Sequence, residues 1–270
     1  MATYVISDIH GQLYRFKWLL KQVNFKFDGT DELYILGDLA DWGPKPIETV
    51  QYIIELCEKY DFVHCCLGNH DKFMIDAILE GNDLRDVYYG LWGDNGGVDT
   101  YAEYLELDDA EKDKIFSFLV NRPLEFRDVA VGNYKFDMAH AAPAIAYNGM
   151  TAEQHAIWAR YELNNIIPGK TSDDHIFIHG HTMTSHWIRR VDKQLNNVVI
   201  FDPYNLRFAI DCGGKGASSS RQFRLALVDL TNLRVYYSSQ KSWFPIYLDD
   251  SKYTRLINSY KGTSERDYWW

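Results

Sequence analysis

The sequence has no apolar run long enough to cross a membrane. Its longest run, residues 62–67, is far short of the roughly 20 residues that a membrane-spanning helix needs. The first residues, MATYVISD, also lack the basic region and the apolar stretch of a secretory signal. We therefore expect a cytoplasmic protein that does not bind a membrane.

Positive charge is also scarce. The chain has 28 lysine and arginine residues against 38 aspartate and glutamate residues, which gives a formal net charge of −10. This balance leaves no broad cationic face with which to hold a nucleic-acid backbone. We therefore do not expect DNA or RNA as a partner.

Cysteine is rare, with four residues in a chain of 270. Cys65 and Cys66 are adjacent within a strand-like run, so their side chains should point to opposite faces of a sheet. This favours reduced core thiols over a disulfide. The sequence also contains no internal repeat, low-complexity segment or linker, which predicts a single domain over residues 1–270.

Strand-like and helix-like patterns alternate in the first part of the chain. Short apolar runs typical of strands are each followed by apolar residues at helical spacing. The predicted strand and helix pairs are 3–7 with 12–23, 32–36 with 46–59, and 62–67 with 72–80. Three such units predict an α/β sheet whose polar loops meet at the carboxyl ends of the strands.

The later sequence changes character. Residues 84–120 are helical in composition, with a turn predicted at Asn95-Gly96-Gly97. Short β-branched and aromatic runs separated by turn residues follow, and they predict a second sheet. These runs are 134–139, 175–178, 197–200, 208–210, 223–229 and 234–238.

Carboxylates, imidazoles and one amide follow the predicted strands. They lie in Asp8-Ile9-His10, Gly37-Asp38 with Asp41, Gly68-Asn69-His70-Asp71, at His140 and at His181. Asp8, Asp38 and Asp41 at one sheet edge would repel one another unless cations neutralised them. Mixed oxygen and nitrogen donors favour Mn, Fe or Zn over Ca or Mg. A carboxylate shared by two ions about 3.5–4 Å apart suits displacement at phosphorus, which predicts a hydrolase of phosphate esters.

Each cluster has an ordinary structural interpretation when it is taken alone. Asp8 and His10 could belong to a solvated loop, Asn69 to Asp71 could cap a helix, and His140 could be a hydrogen-bonded core histidine. Their joint occurrence, each at the end of a strand, favours a shared site.

These residues resemble the calcineurin-like metallophosphoesterase superfamily, whose pattern is DxH, GDxxD, GNH(D/E), H and GH. Within it, the chain is similar to the PPP-type phosphoprotein phosphatases and to symmetrical diadenosine tetraphosphate hydrolases. The segment from Trp92 to Thr100 resembles a WxxNGGxxT motif, and residues 210–213 resemble IDTG. The resemblance covers residues 3–238 and leaves 239–270 as a C-terminal extension. It implies a four-layer α/β sandwich, in which two facing mixed β-sheets are flanked by α-helices.

The resemblance also implies roles for the polar residues. Asp38 would bridge two divalent ions, Mn first with Fe or Zn as alternatives, and a metal-bridging water or hydroxide would attack phosphorus. The other implied ligands are Asp8 and His10 on one ion and Asn69, His140 and His181 on the other. His70 would protonate the leaving oxygen and Asp41 would orient it. His179 should face the same side as His181 and remains an alternative ligand.

The chain departs from the PPP pattern at one phosphate contact. Trp42 occupies the position where GDxVDRG has an arginine, so a bidentate clamp on phosphate is missing. Its indole could instead stack on a nucleobase, pack on a peptide or be buried. Arg160 resembles another phosphate-binding arginine of the group, although it could be a solvated helix residue, and Asn69 is also expected beside the phosphate. Asp71 replaces the usual Glu, which we expect to affect loop structure.

Three functions follow as expectations. The first choice is a PPP-like serine/threonine protein phosphatase acting on a phosphoprotein. The alternative is a diadenosine tetraphosphate hydrolase or another phosphodiesterase acting on a nucleotide. The third is a catalytically silent metal-binding scaffold.

Overall fold

The computed structural model describes residues 1–162, 165–187, 197–217 and 223–238, together with the backbone of 243–245. No helix within this described part is both long and apolar enough to span a membrane. Most of the C-terminal extension 239–270, including Trp269 and Trp270, lies outside the described residues.

One mixed sheet has six strands in the order β11-β10-β9-β1-β2-β3. Strands β1, β2 and β3 are parallel, whereas β9, β10 and β11 are added by antiparallel pairing. The strands are β1 (Ala2–Ile6), β2 (Asp31–Leu36), β3 (Val63–Cys66), β9 (Ala226–Asp229), β10 (Arg234–Tyr237) and β11 (Trp243–Pro245). The extension therefore contributes an edge strand to this sheet.

The second mixed sheet has five strands in the order β4-β5-β6-β8-β7. Strands β5, β6 and β8 are parallel, and β4 and β7 are antiparallel edge strands. The strands are β4 (Glu125–Val131), β5 (Tyr134–Ala139), β6 (Ile176–His179), β7 (Ile200–Asp202) and β8 (Arg207–Ala209).

The helices lie mainly between β1 and β4 in the sequence. They are α1 (Leu13–Gln22), α2 (Pro46–Lys59), α3 (Asn69–Glu80), α4 (Leu84–Tyr89), α5 (Leu91–Asp94), α6 (Gly97–Leu105), α7 (Asp109–Val120) and α8 (Ala152–Trp158). A 3₁₀ turn covers Gly214–Gly216.

Alternation along β1 shows how the layers form. Tyr4 and Ile6 pack in a core shared with the helices, while Val5 packs in a second core with residues of the other sheet such as Phe136 and Phe208. Successive side chains of a strand point to opposite faces, so the first sheet is buried on both sides. The two facing mixed sheets confirm the predicted sandwich.

Cys65 and Cys66 follow the same rule, since the first lies in the helix-side core and the second between the sheets. All four cysteines are free thiols. Both results confirm the prediction made for the cysteines.

Most predicted elements are present, but β4, α8 and β11 were not predicted and some other elements have different bounds. Strand β4 was not predicted, because Asp128 adopts a left-handed φ of 54° where the β4–β5 register shifts, which breaks the alternation of side chains. The strand predicted over 197–200 is instead β7, Ile200–Asp202. Helix α3 begins at Asn69, earlier than the predicted residue 72.

A candidate metal centre

The clustered polar residues lie at the carboxyl ends of parallel strands from both sheets. Asp8 follows β1, Asp38 follows β2 and Asn69 opens α3 immediately after β3. His140 directly follows β5, and His181 follows β6. The sandwich therefore brings all five predicted loops to one place, between the ends of the two sheets.

The backbone at this place is strained. Most non-glycine residues avoid positive φ, and holding one there costs about 1 to 3 kcal/mol. Six of the candidate site residues have positive φ: Asp8 (53°), His10 (47°), Asp38 (54°), Asp41 (70°), Trp42 (62°) and His181 (63°). Such strain persists only where the surrounding structure enforces it, and it concentrates at functional sites.

The carboxylate of Asp38 lies between two imidazoles. Its Oδ2 is 3.5 Å from His10 Nε2, and its Oδ1 is 3.4 Å from His140 Nε2. Asp8 Oδ1 lies on the His10 side, 4.0 Å from the same Nε2. Asp38 thus offers one oxygen to each of two neighbouring positions, which is the geometry a bridging ligand needs.

Asn69 completes the second position. Its Oδ1 is 2.9 Å from His140 Nε2 and 2.8 Å from His181 Nδ1. The Nδ1 atoms of His10 and His140 lie 2.9 Å and 2.8 Å from the carbonyl oxygens of Ala40 and Leu36, respectively. An Nδ1–H that donates to a carbonyl leaves the Nε2 lone pair facing the cluster, as in a metal-ligating histidine.

The charges of the cluster fit divalent cations. Burial raises the pKa of Asp8 and Asp38 well above the usual range, and the nearby carboxylates of Asp211 and Asp71, respectively, raise it further. Burial lowers the pKa of His10 and His181, which keeps both imidazoles neutral. Neutral imidazoles, an amide oxygen and buried carboxylates are suitable ligands for a first-row transition metal.

Two triplets of described side chains have ligating atoms within 4.8 Å of one another. They are His10, Asp38 and His70, and Asp8, Asp38 and His140. Asp38 belongs to both triplets, as expected for a carboxylate shared by two ions. The grouping differs from the expectation in two respects: His70 rather than Asp8 accompanies His10, and Asp8 accompanies His140.

His70 and Asp41 form a buried pair beside the cluster. His70 Nδ1 is 2.6 Å from Asp41 Oδ2, and His70 Nε2 faces Asp38 at 4.0 Å. Burial lowers the pKa of His70 to about 3 and raises that of Asp41 to about 7. Trp92 Nε1 and Thr100 Oγ1 also donate to Asp41, at 2.8 and 2.5 Å. These two hydrogen bonds lower the pKa of Asp41 and so offset part of the increase that burial causes.

Asp71 and two glycines hold the loops in place. Asp71 accepts hydrogen bonds from the backbone N–H groups of Asp38, Leu39 and Gly68 at 2.9 to 3.0 Å, so it shapes the loops as predicted. A Cβ on Gly68 would collide with Asp38, and a Cβ on Gly180 would collide with Asp8. The backbone approaches both carboxylates more closely than any other residue type permits.

The remaining predicted residues lie around the cluster. His179 belongs to neither triplet, and its ring stacks on Phe177 with centroids 6.0 Å apart. Arg160 lies beyond the end of α8 and is exposed, with its Nη1 donating to Thr182 Oγ1 at 2.8 Å and to the His181 carbonyl oxygen at 3.4 Å. The guanidinium is therefore held at the rim beside His181.

Trp42 is 42% exposed, so the expectation that it could be buried is not met. Its indole packs against Gly96, where a Cβ would lie 2.6 Å from the ring atom Cδ2. The ring therefore forms part of the surface at the mouth of the site.

Sequence reasoning missed three contributors. Trp92 and Thr100 were recognised as parts of a motif, but their hydrogen bonds to Asp41 were not anticipated. Lys215, whose Nζ lies 5.7 Å from the centroid of the Trp42 ring, was also missed. The glycines on both sides of it were a usable signal, because flanking glycines let a backbone approach a ligand closely.

Comparison with known proteins identifies the family. Residues 1–201 match the family model described as calcineurin-like phosphoesterase. The chain belongs to the calcineurin-like phosphoesterase family. The predicted enzyme class, a hydrolase of phosphate esters, is that of this family.

Curated relatives of this phosphoesterase are named symmetrical bis(5'-nucleosyl)-tetraphosphatases. The protein of Pseudomonas putida (strain GB-1) is 33% identical over 141 residues, which is 52% of this chain and 42% of the relative. The chain spans about half the length of the curated relatives it matches.

Solved structures share the fold. A candidate diadenosine tetraphosphatase has a TM-score of 0.53 at 18% identity, and the match covers 91% of this chain and 94% of that one. A serine/threonine protein phosphatase from Saccharomyces cerevisiae has a TM-score of 0.55 at 14% identity, covering 86% and 73%. At these identities the likeness concerns the fold alone.

Replacing the shared carboxylate tests the metal centre. We expect Asp38→Asn to bind less than half as much manganese per chain as the unmodified protein, because a neutral amide supplies no charge between two cations. Metal content after dialysis, measured by plasma emission spectroscopy, gives the answer. The control is Asp61→Asn, an exposed residue before β3 at the opposite edge of the sheet. Equal manganese content in Asp38→Asn and the unmodified protein would contradict the bridging position.

Proposed function

We propose that this phosphoesterase hydrolyses dinucleoside polyphosphates, with diadenosine tetraphosphate cleaved symmetrically to two molecules of ADP. The observation that carries the proposal is the half-exposed indole of Trp42 at the mouth of the site, where PPP-type phosphatases have an arginine. An aromatic face there can stack on a nucleobase. The names of the curated relatives support the same substrate class.

The charge of the reacting phosphate supports this choice over a phosphoprotein. The terminal phosphate of a phosphoserine is a dianion near neutral pH and has three non-bridging oxygens. An internal phosphate of a polyphosphate chain carries one negative charge and two such oxygens. The loss of a bidentate guanidinium at position 42 therefore weakens binding of an internal phosphate less than binding of a terminal one.

The proposed ligand set is the one that the family resemblance implies, and the distances around Asp38 and Asn69 support it. Asp8 and His10 would hold one ion, Asn69, His140 and His181 would hold the other, and Asp38 would contribute to both. The ions are manganese, with iron or zinc as alternatives suited to the same donors. When bound, the pair supplies positive charge that activates water and stabilises charge on the phosphoryl oxygens.

His70 is the proposed general acid. Water adds to one of the two central phosphorus atoms, and the bond from that phosphorus to the central bridging oxygen breaks. That oxygen leaves on the other ADP with the proton held by the His70–Asp41 pair, which His70 Nε2 delivers. The 2.6 Å hydrogen bond between Asp41 Oδ2 and His70 Nδ1 holds the ring with Nε2 towards the cluster. Arg160 and the Asn69 side chain are the proposed contacts to the phosphate.

The protein phosphatase that was the first choice from sequence receives less support. The solved protein phosphatase shares 14% identity with this chain, which speaks to fold alone. The silent scaffold is also less well supported, because a pure binding module has no need of a histidine oriented by a buried carboxylate that three donors serve.

Substrate comparison tests the proposal directly. With manganese present, we expect kcat/KM for diadenosine tetraphosphate to exceed that for a phosphoserine peptide at least tenfold, with ADP as the only nucleotide product. Chromatography of the products and a phosphate-release assay measure the two reactions. Faster release of phosphate from the peptide would contradict the proposal and support a protein phosphatase instead. No turnover of either substrate or of bis(p-nitrophenyl) phosphate would favour the scaffold.

Removing the indole tests base stacking. We expect Trp42→Ala to raise KM for diadenosine tetraphosphate about tenfold, because stacking on one base contributes about 1 to 3 kcal/mol. KM for bis(p-nitrophenyl) phosphate, which has no nucleobase, should change less than threefold. The matched control is Tyr134→Ala, which is 41% exposed at the start of β5, away from the site. Parallel losses on both substrates would argue against a base platform.

His70→Asn tests the acid. Loss of the proton donor should reduce kcat most for esters whose leaving group is a poor one, by about 10²- to 10⁴-fold, and least for p-nitrophenolate. Rates on a series of aryl and alkyl esters measure this dependence. His64→Asn serves as the control, since His64 lies in β3 and is hydrogen-bonded to Glu32. Losses that are the same for every leaving group would contradict the role of His70.

A further inference from the structure

The 3₁₀ turn Gly214–Gly216 packs directly against the first loop of the metal centre. A Cβ on Gly214 would collide with the carbonyl oxygen of Asp8. The preceding Gly213 adopts a φ of 84° and donates its N–H to Asp211 Oδ1 at 2.7 Å. On the far side, Arg15 Nη2 donates to the carbonyl oxygen of Ala217 at 2.7 Å. The backbone that carries Lys215 is therefore fixed beside Asp8.

The side chain of Lys215 is exposed and reaches over Trp42. Its Nζ lies 5.7 Å from the centroid of the Trp42 ring. Within the described ranges, Lys215 has no carboxylate partner within 4.0 Å. An ammonium at this distance from an indole is held weakly, by about 0.5 to 1 kcal/mol at an exposed site, and a stronger anionic ligand can displace it.

Arg160 occupies a different part of the rim. Its guanidinium is bonded to Thr182 and to the backbone of His181, which belongs to the second candidate metal position. Lys215 is attached beside Asp8, which belongs to the first. Two cations thus stand beside different halves of one acidic cluster, and one of them lies over the proposed base platform.

We propose that Lys215 binds the phosphate next to the one that is hydrolysed, and so supplies the cationic contact that Trp42 cannot make. This inference rests on the proposed function and names a substrate-binding residue for it. A nucleotide whose base stacks on Trp42 must run its phosphate chain from the indole to the metal centre. The ammonium over that indole lies along this path. The flexible stem of lysine lets the charge follow the phosphate.

Binding of nucleotides without turnover tests the role of Lys215. The probes are ADP and AMP, titrated by calorimetry into the manganese-loaded protein at a fixed free metal concentration. We expect the unmodified protein to bind ADP more tightly than AMP. The single phosphate of AMP is expected at the manganese ions, which leaves Lys215 without a phosphate, whereas ADP offers one phosphate to the ions and a second to Lys215. In Lys215→Ala the Kd for ADP should rise about tenfold, the Kd for AMP less than threefold, and the preference for ADP should shrink accordingly.

Two further variants separate charge from structure. Lys215→Arg keeps the positive charge and should restore ADP binding to within about threefold of the unmodified protein. Lys26→Ala removes an exposed lysine near the start of β2, at the opposite edge of the sheet, and should change neither Kd. If Lys215→Ala keeps the full preference for ADP over AMP, or if the unmodified protein has no such preference, the inference is wrong.

The outcome is distinguishable from failure of the proposed function. The titrations follow binding alone, whereas the proposed function fails if diadenosine tetraphosphate is not cleaved to ADP. If the protein binds ADP through Lys215 but does not cleave diadenosine tetraphosphate, the inference about Lys215 is supported and the proposed function is contradicted.

Discussion

The repulsion between buried carboxylates is the constraint on which the rest of the structure depends. Asp8 and Asp38 are 1% and 2% exposed, and neither has a buried lysine or arginine as an ion-pair partner among the described residues. Asp38 directs one oxygen to His10 and the other to His140, on opposite sides of the gap between the sheets. Divalent cations resolve this repulsion, since they are the strongest compensating charges that such a space admits.

The backbone holds this arrangement at a cost in stability. Residues such as Asp8, Asp38 and His181 keep positive φ angles, and glycines at 68 and 180 let neighbouring loops approach the carboxylates. The fold tolerates the strain because the sheets behind the loops are buried on both faces. A loop site fixed by a rigid sandwich can present a preorganised constellation to a phosphate.

The sequence alone predicted the helices and strands whose bounds are set by the local spacing of apolar residues. Helix α2 and strand β5 have the predicted bounds, because apolar spacing and the first-turn Pro46 define them. The ligand clusters could also be predicted, because each lies at the end of a strand. The bulged β4 could not, since Asp128 interrupts the pattern on which strand prediction relies.

The spacing of apolar residues could not predict contacts between residues that are distant in the sequence. Trp92 and Thr100 donate to Asp41 across 51 and 59 positions of the sequence, and Lys215 reaches Trp42 from a turn near the opposite end of the described chain. Such contacts depend on how α5, α6 and the 3₁₀ turn pack against the loops. The sequence shows Trp42 at the position where the PPP pattern has an arginine. Whether its indole lies in the core or at the mouth of the site depends on the same packing, so the sequence could not predict it.

The most direct test is the anomalous diffraction of manganese in a crystal of this protein. The account predicts two peaks about 3.5–4 Å apart, with the Asp38 carboxylate between them, Asp8 and His10 beside one peak, and Asn69, His140 and His181 beside the other. A single peak, or two peaks that do not share Asp38, would contradict it.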